Sequence, residues 1–372
     1  MLIGVPKELK AQEYRVGLVP SSVREIIANG HKVIIEKNAG LAIGFKDELY
    51  LHAGATIVND AEAIFKSADL IIKVKEPEPQ ECRMLRRGQT LFTYLHLAPD
   101  PEQAELLKKS GCTAIAYETV TASDGSLPLL TPMSQVAGRM SIQAGAHCLE
   151  KAQGGCGILL GGVAGVSPAN VVIIGGGVVG TNAARMAMGT EAHVTVLDKS
   201  LARLGDLDHQ FGPQLNTIFA MKDTIEQYVV HADLVIGAVL VPGSAAPKLI
   251  NRALLKKMRP GSVVVDVAID QGGCFETSRP TTHDNPTFVE EGIVHYCVTN
   301  MPGAVPRTSA VALNHATLPF ILNLANKGIT AALLADPHLL NGLNIHNGKI
   351  THRAVAVDLG DEYVAANEIL VA

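Results

Sequence analysis

Three glycines at 175, 177 and 180 stand in Val171-Val-Ile-Ile-Gly175-Gly-Gly177-Val178-Val179-Gly180, after a continuous apolar run and before the helix-forming run Thr181–Met188. Glycines at this spacing let a backbone turn come close enough to a diphosphate for N–H groups at a helix start to hold it. The letters alone are a weak signal. Their placement between a buried-type strand and a helix strengthens it: Gly175 makes the tight turn, Gly177 admits the pyrophosphate, and Gly180 allows the helix to approach the strand. The next apolar strand, His193-Val-Thr-Val-Leu-Asp198, ends in a carboxylate 18 residues beyond Gly180, where a dinucleotide fold hydrogen-bonds the ribose diol of NAD. The plain alternative for Asp198 is a solvated aspartate closing a strand. An earlier glycine-rich stretch, 154–165, follows a helix and precedes a loop, and reads as flexible structure.

A second set of polar residues suits proton transfer and the capture of a small anion. Arg15 lies in Glu13-Tyr-Arg15-Val, Lys75 in Lys73-Val-Lys75-Glu-Pro, His96 in Tyr94-Leu-His96-Leu, and Asp270 in Asp266-Val-Ala-Ile-Asp270. Taken singly, each has a structural reading: a surface arginine, a solvated lysine sharing a strand face with Lys73, a packed histidine and a loop cap. The six cysteines are scattered, without Cys-x-x-Cys pairs or Cys/His clusters at zinc spacing, and read as reduced core thiols in a reducing compartment.

Elements must position these groups, and the chain has room for them. A length of 372 residues predicts two domains, and 47% hydrophobic with 18% charged residues excludes a disordered chain. The net charge of −5, with no long Lys/Arg run, offers nothing to a nucleic-acid backbone. The start breaks its apolar run with charge too early for a signal peptide, and the most apolar stretch, 157–180, is interrupted by Ser-Pro-Ala-Asn and glycines; no membrane partner and a cytoplasmic location are expected.

Strands are predicted at Val33–Glu36, Asp69–Lys75, Thr90–Leu95 and Ala114–Glu118, alternating with helical runs in a mainly parallel sheet. Thr131-Pro132 predicts an N-cap and the start of a long helix to about Ala152, suited to a hinge. Six further strands follow: Val171–Ile174, His193–Leu197, Thr217–Ala220, Asp233–Ala238, Ser262–Val267 and Ile293–Val298. Ala238-Val239-Leu240, Val267 to Asp270 and Val298-Thr-Asn300-Met301 leave these strands toward one rim, the ligand crevice of an open α/β sheet. After Pro306 a helix is expected, with Thr308 or Ser309 as N-cap and Gly328 as terminator, and Asn347-Gly348 marks a hairpin. The tail is too short to fold alone. The expected architecture is therefore α/β with a Rossmann NAD-binding domain, 131–306, inserted into a discontinuous substrate and catalytic domain, 1–130 and 307–372.

Together, Gly4-Val-Pro-Lys-Glu8, Glu13-Tyr-Arg15-Val, Val74-Lys75-Glu-Pro77, Tyr94-Leu-His96-Leu, the Gly175–Gly180 motif, Asp266 to Gly273 and Asn300-Met-Pro-Gly303-Ala-Val-Pro306 resemble the bacterial alanine dehydrogenases in order and nearly end to end. The resemblance implies NAD-dependent interconversion of L-alanine with pyruvate and ammonium by a homohexamer. It assigns Arg15 and Lys75 to the substrate carboxylate or carbonyl, His96 and Asp270 to proton handling, and Ser134, Asp198 and Asn300 to NAD. Ala220, Val239, Leu240, Val267, Asp270, Arg279, Val298 and Met301 join Gly175, Gly177, Val178, Val179 and Gly180 in the expected cofactor set. Some members carry acidic and histidine metal ligands on a helix after the cofactor domain. The corresponding stretch here, Ile321–Lys327, has neither, so no metal is expected.

The chemistry suits these groups. Oxidising an amine by hydride transfer yields an imine, which water attacks and which collapses to ketone and ammonia, moving a proton at each stage. An imidazole of ordinary pKa about 6.5 serves that traffic near neutrality. The nearest alternative is the soluble NAD-binding subunit of a proton-translocating transhydrogenase, which needs no amino-acid site. A silent NAD-binding protein is a third. The joint presence of Arg15, Lys75, His96 and Asp270 favours the dehydrogenase.

Overall fold

The computed structural model describes residues 1–239 and 246–371. The chain forms two compact units, Met1–Met133 with Val305–Ala372, and Ser134–Ala304. In the first, β1 (Leu2–Val5), β2 (Lys32–Glu36), β3 (Thr56–Val58), β4 (Leu70–Ile72), β5 (Thr90–Thr93) and β6 (Thr113–Ala116) pair in parallel. Neighbouring strand residues are buried on both faces: Ile3, Val5, Leu70 and Ile72 pack in one apolar cluster, Ile71 and Leu91 in another. Two-sided burial is the reason these strands read as unbroken apolar runs.

The run Leu2–Val5 is too short to announce itself as a strand, yet β1 lies between β2 and β4. Gly4 makes this placement possible, since a Cβ there would meet Ile64 Cγ2 at 2.6 Å and Ala68 Cβ at 2.7 Å. β4 ends at Ile72 rather than Lys75. Beyond it the two chains stay loosely joined, Lys73 donating to the Phe92 carbonyl and Tyr94 to that of Val74, each at 3.3 Å.

Helix Thr131–Cys148 carries the chain into the second unit. Thr131 is not its N-cap: its N–H and hydroxyl both donate to the Leu127 carbonyl, at 2.9 and 3.0 Å, so the turn has begun earlier. The second sheet comprises β7 (Asn170–Ile174), β8 (His193–Asp198), β9 (Leu215–Phe219), β10 (Leu234–Gly237), β11 (Val263–Asp266), β12 (Thr287–Glu290) and β13 (Ile293–Tyr296). Its order is β12-β13-β11-β10-β7-β8-β9, all parallel except β12. Strand order reverses between β7 and β10, the switch point outside which such sheets bind ligands. The antiparallel β12 escapes the sequence reading because its turn, Glu291-Gly292 at φ 53° and 76°, lacks the usual Asn or Asp.

The return begins with helix Pro306–Lys327. It starts at the proline itself, with Val305 before it and no side-chain cap, and Ser309 is buried within the helix. Neither Thr308 nor Ser309 is the cap, because proline at the first helical position needs no N–H partner and presets φ. Gly328, at φ 81°, ends the helix. Then β14 (Leu343–His346) and β15 (Lys349–Ile350) form a hairpin across Asn347 and Gly348, at φ 48° and 83°. β14 pairs antiparallel with β6, completing the first sheet as β15-β14-β6-β5-β4-β1-β2-β3. The second domain is thus inserted into a discontinuous first. Among the described residues no single helix is long and apolar enough to cross a membrane.

Candidate active site

In the first unit the chain leaves β4 as Lys73–Pro77 and β5 as Tyr94–Leu97, at the same rim because the strands are parallel. Thr93 Oγ1 donates to the Lys75 carbonyl at 2.9 Å and ties the two segments together. Between them sits Glu76. Its Oε1 accepts from Lys10 Nζ at 2.6 Å, while Oε2 lies 3.7 Å from Lys75 Nζ and 3.8 Å from His96 Nδ1. Burial pushes the Glu76 carboxyl up, but the imidazole of His96 and the ammonium groups of Lys75 and Lys10 outweigh it and hold it well below the usual carboxylate range.

His96 is held in the left-handed region, φ 46°, which a non-glycine residue adopts only when its surroundings impose it. Glu118 imposes it by accepting the His96 N–H at 2.6 Å and the Leu95 N–H at 3.1 Å. The Tyr94 ring stacks on the imidazole with centroids 5.8 Å apart, and its hydroxyl donates to the Leu129 carbonyl. Burial lowers the His96 pKa, but Glu76 and Glu118 more than compensate, so it is raised above the ordinary value. With 43% of the side chain exposed, the ring remains open to a small molecule.

Arg15 is buried, not a surface residue. Glu13 accepts from its Nε at 2.7 Å and its Nη2 at 2.6 Å, while Nη1 points at Met133 Sδ at 3.1 Å. This fork fixes the guanidinium plane. Lys10, Gln12, Tyr14 and Arg15 line a cavity of about 420 Å³. Lys73 is also buried, contrary to its reading as a solvated lysine. Its Nζ bonds Glu8 Oε2 at 3.1 Å and Glu81 Oε1 at 2.8 Å. Glu8 Oε1 accepts the Val74 N–H at 2.6 Å, so the trio anchors the segment that carries Lys75 and Glu76.

The second unit shapes its glycine turn as the spacing implies. Gly175 has φ 104°, and a Cβ there would meet the Ala238 carbonyl oxygen at 2.7 Å. At Gly180 a Cβ would stand 1.8 Å from the Gly175 oxygen, whereas at Gly177 it would meet no atom of the described residues within 4 Å. Helix Val178–Gly189 therefore presses on the turn while leaving open space before its N-terminus, which fits a diphosphate. Asp198 Oδ2 accepts the Gly176 N–H at 2.6 Å, Oδ1 that of Ser200 at 2.8 Å, and the Ala220 N–H bonds the Asp198 carbonyl at 2.9 Å. The carboxylate is thus knitted to the glycine turn, where it can meet a ribose diol.

A Cβ on Gly138 would lie 2.2 Å from the Val179 oxygen, so the Thr131–Cys148 helix grips the start of the cofactor helix. Ser134, one turn earlier, is half-buried on the same face. Val239 follows β10, half-buried, and Leu240 lies outside the described residues. Past β11, Val267 is half-buried and Asp270 exposed on the turn Ile269–Gln271. Buried Asp266 secures that loop, accepting from Ala268, Cys274 and Ser278. Past β13, Val298 and Met301 are buried, and the Asn300 carbonyl accepts from His283 Nε2 at 2.9 Å and Gly303 N at 2.8 Å. Arg279 stacks over Phe288 of β12, 4.2 Å from its centroid.

Glu76, Glu118, Lys10, Arg203, Asp266 and His283 receive no role from the sequence. Arg203 Nε donates to the Gly176 carbonyl at 2.6 Å and its Nη2 to Thr181. Glu76 and Asp266 had a signal, their places inside the Val-Lys-Glu-Pro motif and the Asp266–Gly273 motif. The other partnerships join residues from separate elements.

Residues 4–137 match the alanine dehydrogenase/PNT N-terminal domain and residues 141–353 its C-terminal domain. The chain is 59% identical to an alanine dehydrogenase of Halomonas elongata, over 100% of both chains. A solved L-alanine dehydrogenase superposes with a TM-score of 0.94 at 52% identity, covering 97% of this chain and 99% of that one. A transhydrogenase from Sinorhizobium meliloti shares the fold alone, with a TM-score of 0.81 at 24% identity over 95% of this chain and 100% of its own. From both domain matches and the full-length likeness, the chain belongs to the alanine dehydrogenase/PNT family.

Proposed function

We propose that the protein is an NAD-dependent oxidoreductase that converts L-alanine and water to pyruvate and ammonia, and catalyses the reverse reductive amination. The observation that carries this reading is the meeting of an imidazole, two ammonium groups and one half-buried carboxylate in the segments that follow three adjacent parallel strands, β1, β4 and β5. A 2-amino or 2-oxo acid needs such a set: cations for its carboxylate and a group that gives and takes protons at the adjacent carbon.

Arg15 and Lys75 bind the substrate carboxylate and carbonyl, each charged hydrogen bond contributing roughly 1.5–3 kcal/mol and fixing the α-carbon. His96 takes a proton from the attacking water during deamination and returns one to the carbonyl oxygen during amination. Asp270 orients the water and the departing amine. Bound NAD supplies the hydride acceptor. Gly175, Gly177 and Gly180 with Val178 and Val179 hold its diphosphate, Asp198 its ribose, and Ser134, Ala220, Val239, Val267, Val298, Asn300 and Met301 line the rest. Arg279 stays in the proposed cofactor set, its guanidinium fixed by Phe288.

We place the enzyme in the cytoplasm as a homohexamer. The exposed apolar side chains Leu159, Val163 and Val166 offer surface for assembly. The direct test is NADH oxidation dependent on pyruvate plus ammonium; NADH binding with no turnover on any 2-oxo acid sinks the activity. A monomer by light scattering at micromolar concentration sinks the hexamer.

A further inference from the structure

Glu76 Oε2 is buried and has no hydrogen-bond partner among the described residues, although the other oxygen of the same carboxylate is held by Lys10. An unsatisfied buried carboxylate oxygen is costly, so its neighbours are drawn to it. Two groups stand just outside bonding range, Lys75 Nζ at 3.7 Å and His96 Nδ1 at 3.8 Å. A shift of less than an ångström in either side chain closes the gap.

We propose that Glu76 is the positioning residue of this active site: its inner oxygen orients His96 through Nδ1–H and anchors Lys75, leaving Nε2 of His96 to exchange protons with substrate. This deepens the functional reading above and rests on it. In a neutral imidazole only one ring nitrogen carries a proton, and a carboxylate beside Nδ1 selects the tautomer that keeps it there. The charged or titratable groups facing His96 are Glu76, Glu118, Lys75 and the stacked Tyr94, with Lys10 behind Glu76. Lys10 and Lys75 against Glu76 leave one positive charge, matched to one substrate carboxylate. Without the Glu76 charge, two ammonium groups would drive the proton off His96.

The test is ¹⁵N-histidine NMR of the whole enzyme, with His96 identified by the signal lost in His96→Asn. Wild-type neutral His96 should show the Nδ1–H tautomer. Glu76→Gln should move the His96 titration to lower pH and reduce kcat for reductive amination about tenfold, with NADH affinity and melting temperature unchanged. Glu76→Asp should recover part of both. A Nε2–H tautomer in wild type, or an unchanged titration in Glu76→Gln, overturns the proposal. Neither readout depends on alanine turnover, so failure of the functional reading shows separately in the wild-type assay.

Discussion

Nζ of Lys73 stands 2.8 Å from Oε1 of Glu81, with 1% and 0% of the two side chains exposed. Two positions on, Lys75 keeps 22% of its side chain in solvent and turns toward Glu76. The proposed site gives the two lysines different jobs. Lys73→Ala would strand Glu8 and Glu81 as buried carboxylates and should cost about 3–5 kcal/mol of folding stability. Lys75→Ala should leave stability nearly unchanged while damaging turnover and pyruvate binding. Urea unfolding of both variants decides the matter, and a Lys73→Ala protein as stable as wild type would refute the anchoring role.

The glycine turn separates folding from binding. Gly180→Ala places a methyl group 1.8 Å from the Gly175 oxygen, so the backbone must shift, and both melting temperature and NADH affinity should fall. Gly177→Ala meets nothing within 4 Å among the described residues and should melt like wild type, yet lose at least about tenfold in NADH affinity because its methyl fills the phosphate approach. Fluorescence titration with NADH reads this out; wild-type affinity in Gly177→Ala would move the diphosphate elsewhere.

Asp198 should reject the 2′-phosphate of NADP. Like charges about 4 Å apart at an effective dielectric near 20 repel by about 4 kcal/mol before salt and relaxation reduce it, so a preference for NAD of at least about tenfold in kcat/KM should remain. Asp198→Asn keeps an acceptor for the Gly176 N–H and removes the charge, and should narrow that preference. Equal use of both cofactors by wild type would mean that Asp198 does not reach the ribose.

For proton transfer, asparagine is the better replacement at His96, which sits at φ 46°, a conformation asparagine tolerates better than alanine, and at Asp270 it keeps the shape and removes the charge. His96→Asn and Asp270→Asn should each lower kcat by roughly 10²–10⁴-fold with NADH affinity nearly intact. Steady-state kinetics with near-normal kcat in either variant would remove that residue from catalysis.

The sequence by itself determined what is local. The Gly-x-Gly-x-x-Gly turn, its flanking strand and helix, and the Asn347-Gly348 hairpin depend on backbone conformations that a few adjacent residues specify, and apolar runs mark strands buried on both faces. Motif order likewise carried the family. Tertiary structure decided which polar residues meet. Lys73 and Lys75 look alike in sequence, and one becomes a buried structural cation only because Glu8 and Glu81 arrive from other segments. Lys10 and Glu76 are joined across 66 positions, and Glu118 bends His96 from 22 residues away. Local pattern reports which face of an element is apolar; the partner of a buried charge is set by the packing of distant elements, where desolvation makes each pairing decisive.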